Sequence, residues 1–245
     1  MNTYNKICLM IPTYHRVEKL KLLIDSVFRT VDDLDNICFS FCVNVNDHET
    51  RDFLNSYFDG CGYEIIDENT MQPNLSLYFN LMYDNTKFRD AIVTMIGDDM
   101  IFRTQEWDSR IIKEINKADG KTLVYCDDDF IAHDKLCVNL FTTREMVEAT
   151  KKPFMCEYFH ADMIDQVWYM VGLITGTLKY LEDVVIQHNH STKLQKDEWD
   201  LTFQRLSPVQ QVANSKENVK LAICYATVCA RNMIESGVGK WNTLQ

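Results

Sequence analysis

Ile92-Val93-Thr94-Met95-Ile96-Gly97-Asp98-Asp99 decides the fold. A short apolar run bounded by polar residues is a strand covered on both faces, and here it runs straight into glycine and two carboxylates. Upstream, Ile7 to Ile11 is a second such run, ended by Pro12. Between them Leu20, Leu23, Ile24, Val27, Phe28 and Val31 recur at helical spacing, and Ile37, Phe39, Phe41, Val43 and Val45 alternate as in a strand with one strongly apolar face. Leu75, Phe79 and Met82 suggest a further helix. Downstream, Trp107, Ile111, Ile112 and Ile115 mark another, followed by a strand from Leu123 to Cys126. Strands alternating with helices imply an α/β fold with a mainly parallel sheet flanked by helices, whose ligands sit beyond the carboxyl ends of the strands.

The second half is less regular. A helix is expected from about Asp162 to Leu173, a short strand from Val184 to His188, then a polar stretch from Ser191 to Asp200. A C-terminal helix opens with Asn214 and Glu217 as a variant capping box and stops at Gly237. The 245 residues fit one well-buried core, so one domain is expected. No apolar run reaches the roughly 20 residues of a membrane-spanning helix, and the N-terminal run leads straight into a folded pattern, so a cytoplasmic protein is expected. Nine cysteines without a Cys-x-x-Cys pair, with Cys8, Cys38, Cys42 and Cys126 inside apolar runs, read as buried reduced thiols. A formal charge of −11 argues against wholesale binding to nucleic acid or anionic membrane and suits a protein that gathers carboxylates around a cation.

Strand ends are where chemistry is expected. Adjacent carboxylates at the mouth of a sheet repel unless a cation or hydrogen-bond donors offset them, which makes Asp98 and Asp99 either a metal site or a turn. Asp127-Asp128-Asp129 reads first as a solvated turn. His188-Asn189-His190 leaves a strand, and with the carboxylates it could form a joint Mn²⁺ or Mg²⁺ site. Asp162 and Asp165 share one face at a helix start, where capping explains at least one of them. Lysine clusters at 113, 117 and 121, at 151 and 152, and at 193 and 196 read as solvated surface.

The ordered set resembles a family. An apolar strand into Pro12-Thr13-x-x-Arg16, a strand ending near Asn46-Asp47, the segment Asn74-Leu-Ser-Leu-Tyr-Phe-Asn80 and the strand into Gly97-Asp98-Asp99 resemble family 2 glycosyltransferases with the GT-A fold. Tyr180-Leu-Glu-Asp-Val-Val-Ile-Gln-His-Asn-His190, with Asp197-Glu198 downstream and Asp165 and Trp168 upstream, is similar to a bacterial and phage subgroup. The resemblance covers residues 5–205. It implies a nucleotide-binding half over about 1–100, an acceptor and metal half over about 101–205 and a C-terminal helical extension over about 206–245. It further implies that Pro12, Thr13 and Arg16 hold the nucleotide, that Asp47, helped by Asn46, accepts a hydrogen bond from the base, and that Asn80 lies near the nucleotide.

In the family's Asp-x-Asp motif the first aspartate is here Gly97, so Asp99 is expected to ligate the metal with His188 or His190, and Asp98 to face the ribose or a metal-bound water. Asp165, then Asp162, is the expected general base of an inverting transfer. The donor implied is a nucleotide sugar, UDP-linked first. For a phage enzyme the acceptor implied is a hydroxymethylated pyrimidine in DNA, and the location the host cytoplasm. Two rivals stay open at this point: a metal-dependent hydrolase using His188, His190 and aspartates, and a nucleotide-binding module without catalysis.

Overall fold

A computed structural model describes residues 3–58, 62–70, 74–130, 132–159, 163–189 and 216–242. The elements run β1 (Ile7–Thr13), α1 (Val17–Thr30), β2 (Ile37–Asn44), α2 (His48–Tyr57), β3 (Tyr63–Glu68), α3 (Leu75–Asn85), β4 (Ile92–Met95), β5 (Met100–Phe102) and α4 (Trp107–Lys117). Then follow β6 (Leu123–Asp127), β7 (Leu140–Thr142), α5 (Arg144–Ala149), α6 (Ile164–Thr175), β8 (Leu178–His188) and α7 (Lys216–Glu235). The eight strands lie in the order β3-β2-β1-β4-β7-β6-β8-β5. β7 runs against β4 and β6, and β5 against β8; the other pairs are parallel. The expected α/β architecture, a mainly parallel sheet flanked by helices, is therefore the observed one.

The alternation of side chains along each strand feeds two cores. Ile7, Leu9 and Ile11 of β1 pack with Leu20, Leu23, Ile24 and Val27 of α1 and with Trp107, Ile111 and Ile115 of α4. Cys8 and Met10 face the opposite layer, with Phe79 and Met82 of α3, Trp168 and Val171 of α6 and Ala226 and Met233 of α7. At about 1.5–3 kcal/mol for each large apolar side chain fully buried, these layers are what hold the sheet.

Two expectations change. β2 is buried along its whole length rather than on one face, because its alternate residues Cys38, Ser40 and Cys42 are small and lie beneath the α3 layer. The strand ending at His188 begins at Leu178, six residues earlier than its apolar pattern suggests, since Lys179, Glu182 and Asp183 point into solvent. The eight described cysteines are free, and Cys8, Cys38, Cys42 and Cys126 are buried as expected. The C-terminal helix ends at Glu235, just before Gly237 (φ 79°), with Val238 N–H donating to the Met233 carbonyl; Asn214 lies outside the described residues. No helix among the described residues is long and apolar enough to cross a membrane.

Candidate functional site

Strand order reverses beside β1, which pairs with β2 on one side and β4 on the other. In open α/β sheets that reversal opens a crevice beyond the carboxyl ends of the strands. β4 pairs with β1 only at Ile7 and Cys8, so the upper part of β1 parts from it. Met10 N–H turns to the Thr94 hydroxyl (2.9 Å), and Pro12, next on that edge, lacks an N–H where the ladder has already ended.

Arg16 and Asp98 span this crevice. Arg16 Nη1 donates to Asp98 Oδ1 at 2.7 Å, and their side chains are 8% and 5% exposed. Burial raises the Asp98 pKa above the usual carboxylate range; the Arg16 charge opposes that shift and the neighbouring Asp99 adds to it. Two residues expected to meet the nucleotide thus meet each other. Pro12 and Thr13 are buried in β1 behind them.

Asp99 turns the other way. The three-residue strand β5 pairs with β8, setting Met100 opposite His188, and Asn189 N–H donates to the Asp99 carbonyl (2.9 Å). This places His188 Nε2 3.4 Å from Asp99 Oδ1, with side chains 17% and 11% exposed. At Gly97, where the family's first aspartate would stand, a Cβ would lie 2.9 Å from Asp99 Oδ1, so a side chain there would make that carboxylate shift slightly.

The run Asp127-Asp128-Asp129 is a turn, but only partly a solvated one. Asp128 is buried, and its carboxylate accepts from Ala132 N–H (3.3 Å) and His133 N–H (2.8 Å), while its carbonyl receives His188 N–H (2.8 Å). Asp127 accepts from the Tyr180 hydroxyl (2.6 Å) and from Asp129 N–H (2.7 Å), and His133 Nδ1 lies 3.1 Å from Oδ2. Burial would raise the Asp127 pKa, but these donors outweigh it and hold it low; the hydrogen bond to Asp127 raises His133. Asp127, Asp128 and His133 bring candidate ligand atoms within 4.8 Å of one another, a second place that could hold a cation.

The remaining expected residues have local tasks. Asp47 is fully buried as the N-cap of α2, accepting from Thr50 N–H and from His15 N–H. Asn80 is buried and ties α3 to the loop before α6, bonding the Met155 carbonyl and N–H and the Glu157 carboxylate. Asn46 is exposed, its N–H held by Asn44. Asp165 lies in the first turn of α6 and accepts from Gln166 N–H (2.8 Å). Asp162, His190, Asp197 and Glu198 lie outside the described residues. Sequence reasoning missed His133 and Tyr180, whose only signal is proximity in space to Asp127. It also gave no role to His15, which stands two residues beyond the end of β1.

No family model and no curated protein matches the chain in sequence. Solved structures resemble it in fold. The chain is similar to S. aureus TarS 1-349 (TM-score 0.60, 10% identity, 94% of this chain and 70% of that one), also solved with UDP and with UDP-GlcNAc. It is similar to the mannosyltransferase PcManGT from Pyrobaculum calidifontis in complex with GDP-Man and Mn²⁺ (TM-score 0.59, 11% identity, 97% and 76%). Against the longer S. aureus TarS structure the TM-score is 0.62, and the chain spans 43% of its length. The chain has the GT-A fold.

Proposed function

We propose that this protein is a metal-dependent glycosyltransferase that moves a sugar from a nucleotide sugar, UDP-linked first, to an acceptor hydroxyl. The observation that carries the proposal is the Asp99–His188 pair at the sheet's carboxyl end, close to the crevice where the strand order reverses. Two ligands at right angles on an ion with bonds of about 2.1 Å stand about 3 Å apart, so a separation of 3.4 Å suits one shared divalent cation. A carboxylate with an imidazole is a donor set that Mn²⁺ accepts. When bound, such an ion supplies positive charge against the diphosphate that departs with the nucleotide.

The chain's own groups divide the remaining work. Arg16 and Asp98 brace the crevice between β1 and the turn after β4, which fixes the direction in which Asp99 leaves that turn. Asp165, in the first turn of α6, is the base for the acceptor proton in an inverting transfer. A hydroxymethylated pyrimidine in DNA is the acceptor to assay first.

The test is thermal melting with UDP, GDP, CDP, dTDP and ADP, each with and without Mn²⁺. A nucleotide at about 100 times its Kd adds about 2.7 kcal/mol to the folded state, an easily read shift. The proposal expects a shift that needs Mn²⁺ and disappears in Asp99→Asn. Absence of any shift, or a shift indifferent to Mn²⁺ and to Asp99→Asn, removes the site from this role.

A further inference from the structure

A base reader at Asp47 needs an accessible lone pair, and the structure leaves none. Its carboxylate is fully buried. Oδ1 accepts from Thr50 N–H at 3.2 Å and faces His15 Nδ1 at 3.3 Å. Oδ2 accepts from His15 N–H at 2.7 Å and from the Thr50 hydroxyl at 2.8 Å. A carboxylate offers about four lone-pair sites; three hydrogen bonds occupy this one, His15 Nδ1 stands beside it, and burial closes the remainder to a ligand.

What these contacts do is hold His15. Its backbone is left-handed (φ 50°), a conformation uncommon outside glycine though more frequent for histidine than for most residues, and the bond to Asp47 fixes it there. The imidazole meets the Tyr14 ring edge-on at a centroid distance of 4.4 Å. A carboxylate oxygen opposite Nδ1 favours the tautomer with its proton on that nitrogen, which leaves Nε2 a lone-pair acceptor. The side chain is 35% exposed and stands two residues beyond the carboxyl end of β1, beside the crevice.

We propose that His15 Nε2 is the acceptor that reads the donor's base, with Asp47 as the positioning residue behind it. The ligand class follows from the tautomer. An acceptor there pairs with a ring N–H, as in uracil N3–H or guanine N1–H. It opposes cytosine and adenine, which present a lone pair at the corresponding ring nitrogen. This role rests on the nucleotide-sugar reading above and adds its base specificity.

Titration calorimetry of the full chain with UDP, GDP, CDP and ADP in Mn²⁺ tests it. The expected result is a preference of about tenfold or more for UDP or GDP over both CDP and ADP. His15→Gly, which accepts the left-handed backbone, and His15→Phe, which keeps a ring against Tyr14, should each weaken the favoured nucleotide about tenfold and leave CDP and ADP nearly unchanged. Melting temperatures of both variants establish that they fold. A merely structural role would weaken all four nucleotides by one factor and leave their ratio intact, which overturns the assignment. A wild type indifferent to the base, or a preference that survives His15→Gly, also overturns it and leaves the transferase reading standing. Failure of all four nucleotides to bind removes both.

Discussion

Removing the guanidinium of Arg16 while keeping its bulk, as in Arg16→Met, leaves Asp98 buried without its 2.7 Å ionic partner. Unit charges about 4 Å apart at an effective dielectric near 20 attract by about 4 kcal/mol, and breaking a buried pair from one side costs about 3–5 kcal/mol. The carboxylate has one escape, which is to take up a proton. With an unfolded pKa of about 3.9 and 1.36 kcal/mol per unit, protonation caps the loss at about 4 kcal/mol at pH 7 and about 1.5 kcal/mol at pH 5.

The sign follows from the direction of the Asp98 shift. Its folded pKa already lies above the unfolded value because burial outweighs Arg16. A group of that kind contributes its full stability below the unfolded pKa and loses it as pH rises through the folded one. Arg16→Met raises the folded value further, so the variant's deficit grows with pH. Urea unfolding followed by circular dichroism at pH 5, 6, 7 and 8 reads this directly. Because the parent already bears part of this cost, the expected deficit grows with pH and stays below about 1.5 kcal/mol at pH 5 and below about 4 kcal/mol at pH 7, and adding Asp98→Asn to the variant abolishes the pH dependence. A deficit under about 1 kcal/mol at pH 7, or one independent of pH, would refute the view that this pair is a buried brace.

Two other perturbations test the scaffold around the site. The Asp127–His133 contact stabilises over a bounded window: the His133 contribution is present below its ordinary pKa of 6.5 and is lost as pH rises through its raised folded value, while that of Asp127 is lost as pH falls through its depressed one. Melting curves of His133→Gln should therefore fall furthest below the parent near pH 5–6 and converge with it by about pH 9; a constant gap counts against the contact. In α6, a Cβ at Gly172 would stand 2.8 Å from Leu178 Cδ1 and 2.9 Å from Leu178 Cβ. Gly172→Ala should cost about 1–3 kcal/mol despite alanine's better helix propensity, seen as a lower urea midpoint at unchanged slope; a stabilised variant would show that β8 yields easily.

The fold was legible where one layer of the sheet writes its own pattern. β1, β4 and β6 are apolar runs, and α1 and α4 carry stripes at helical spacing. β5 and β7 have three residues each, too few for any period, and β3 is a half-exposed edge strand in which Glu64 and Asp67 interrupt the apolar residues. The site was legible as composition and illegible as pairing. Arg16 and Asp98 are 82 residues apart, and nothing local marks them as partners. Asp99 meets His188 only because the unreadable β5 lies against β8.

The same point changes what a pair of adjacent carboxylates means. In the sequence, Asp98-Asp99 read as either a metal site or a turn, and Asp127-Asp128-Asp129 first as a solvated turn. In the structure, neighbouring residues turn opposite ways as they leave a strand, so each pair divides. Asp98 goes inward to Arg16, and Asp128 goes inward to two backbone N–H groups. Asp99 turns to His188, and Asp127 to Tyr180 and His133. Much of the repulsion is therefore relieved by protein donors before any ion is considered. What favours a metal is the imidazole of His188, which the β5–β8 pairing brings within 3.4 Å of Asp99 at the end of the sheet where ligands bind.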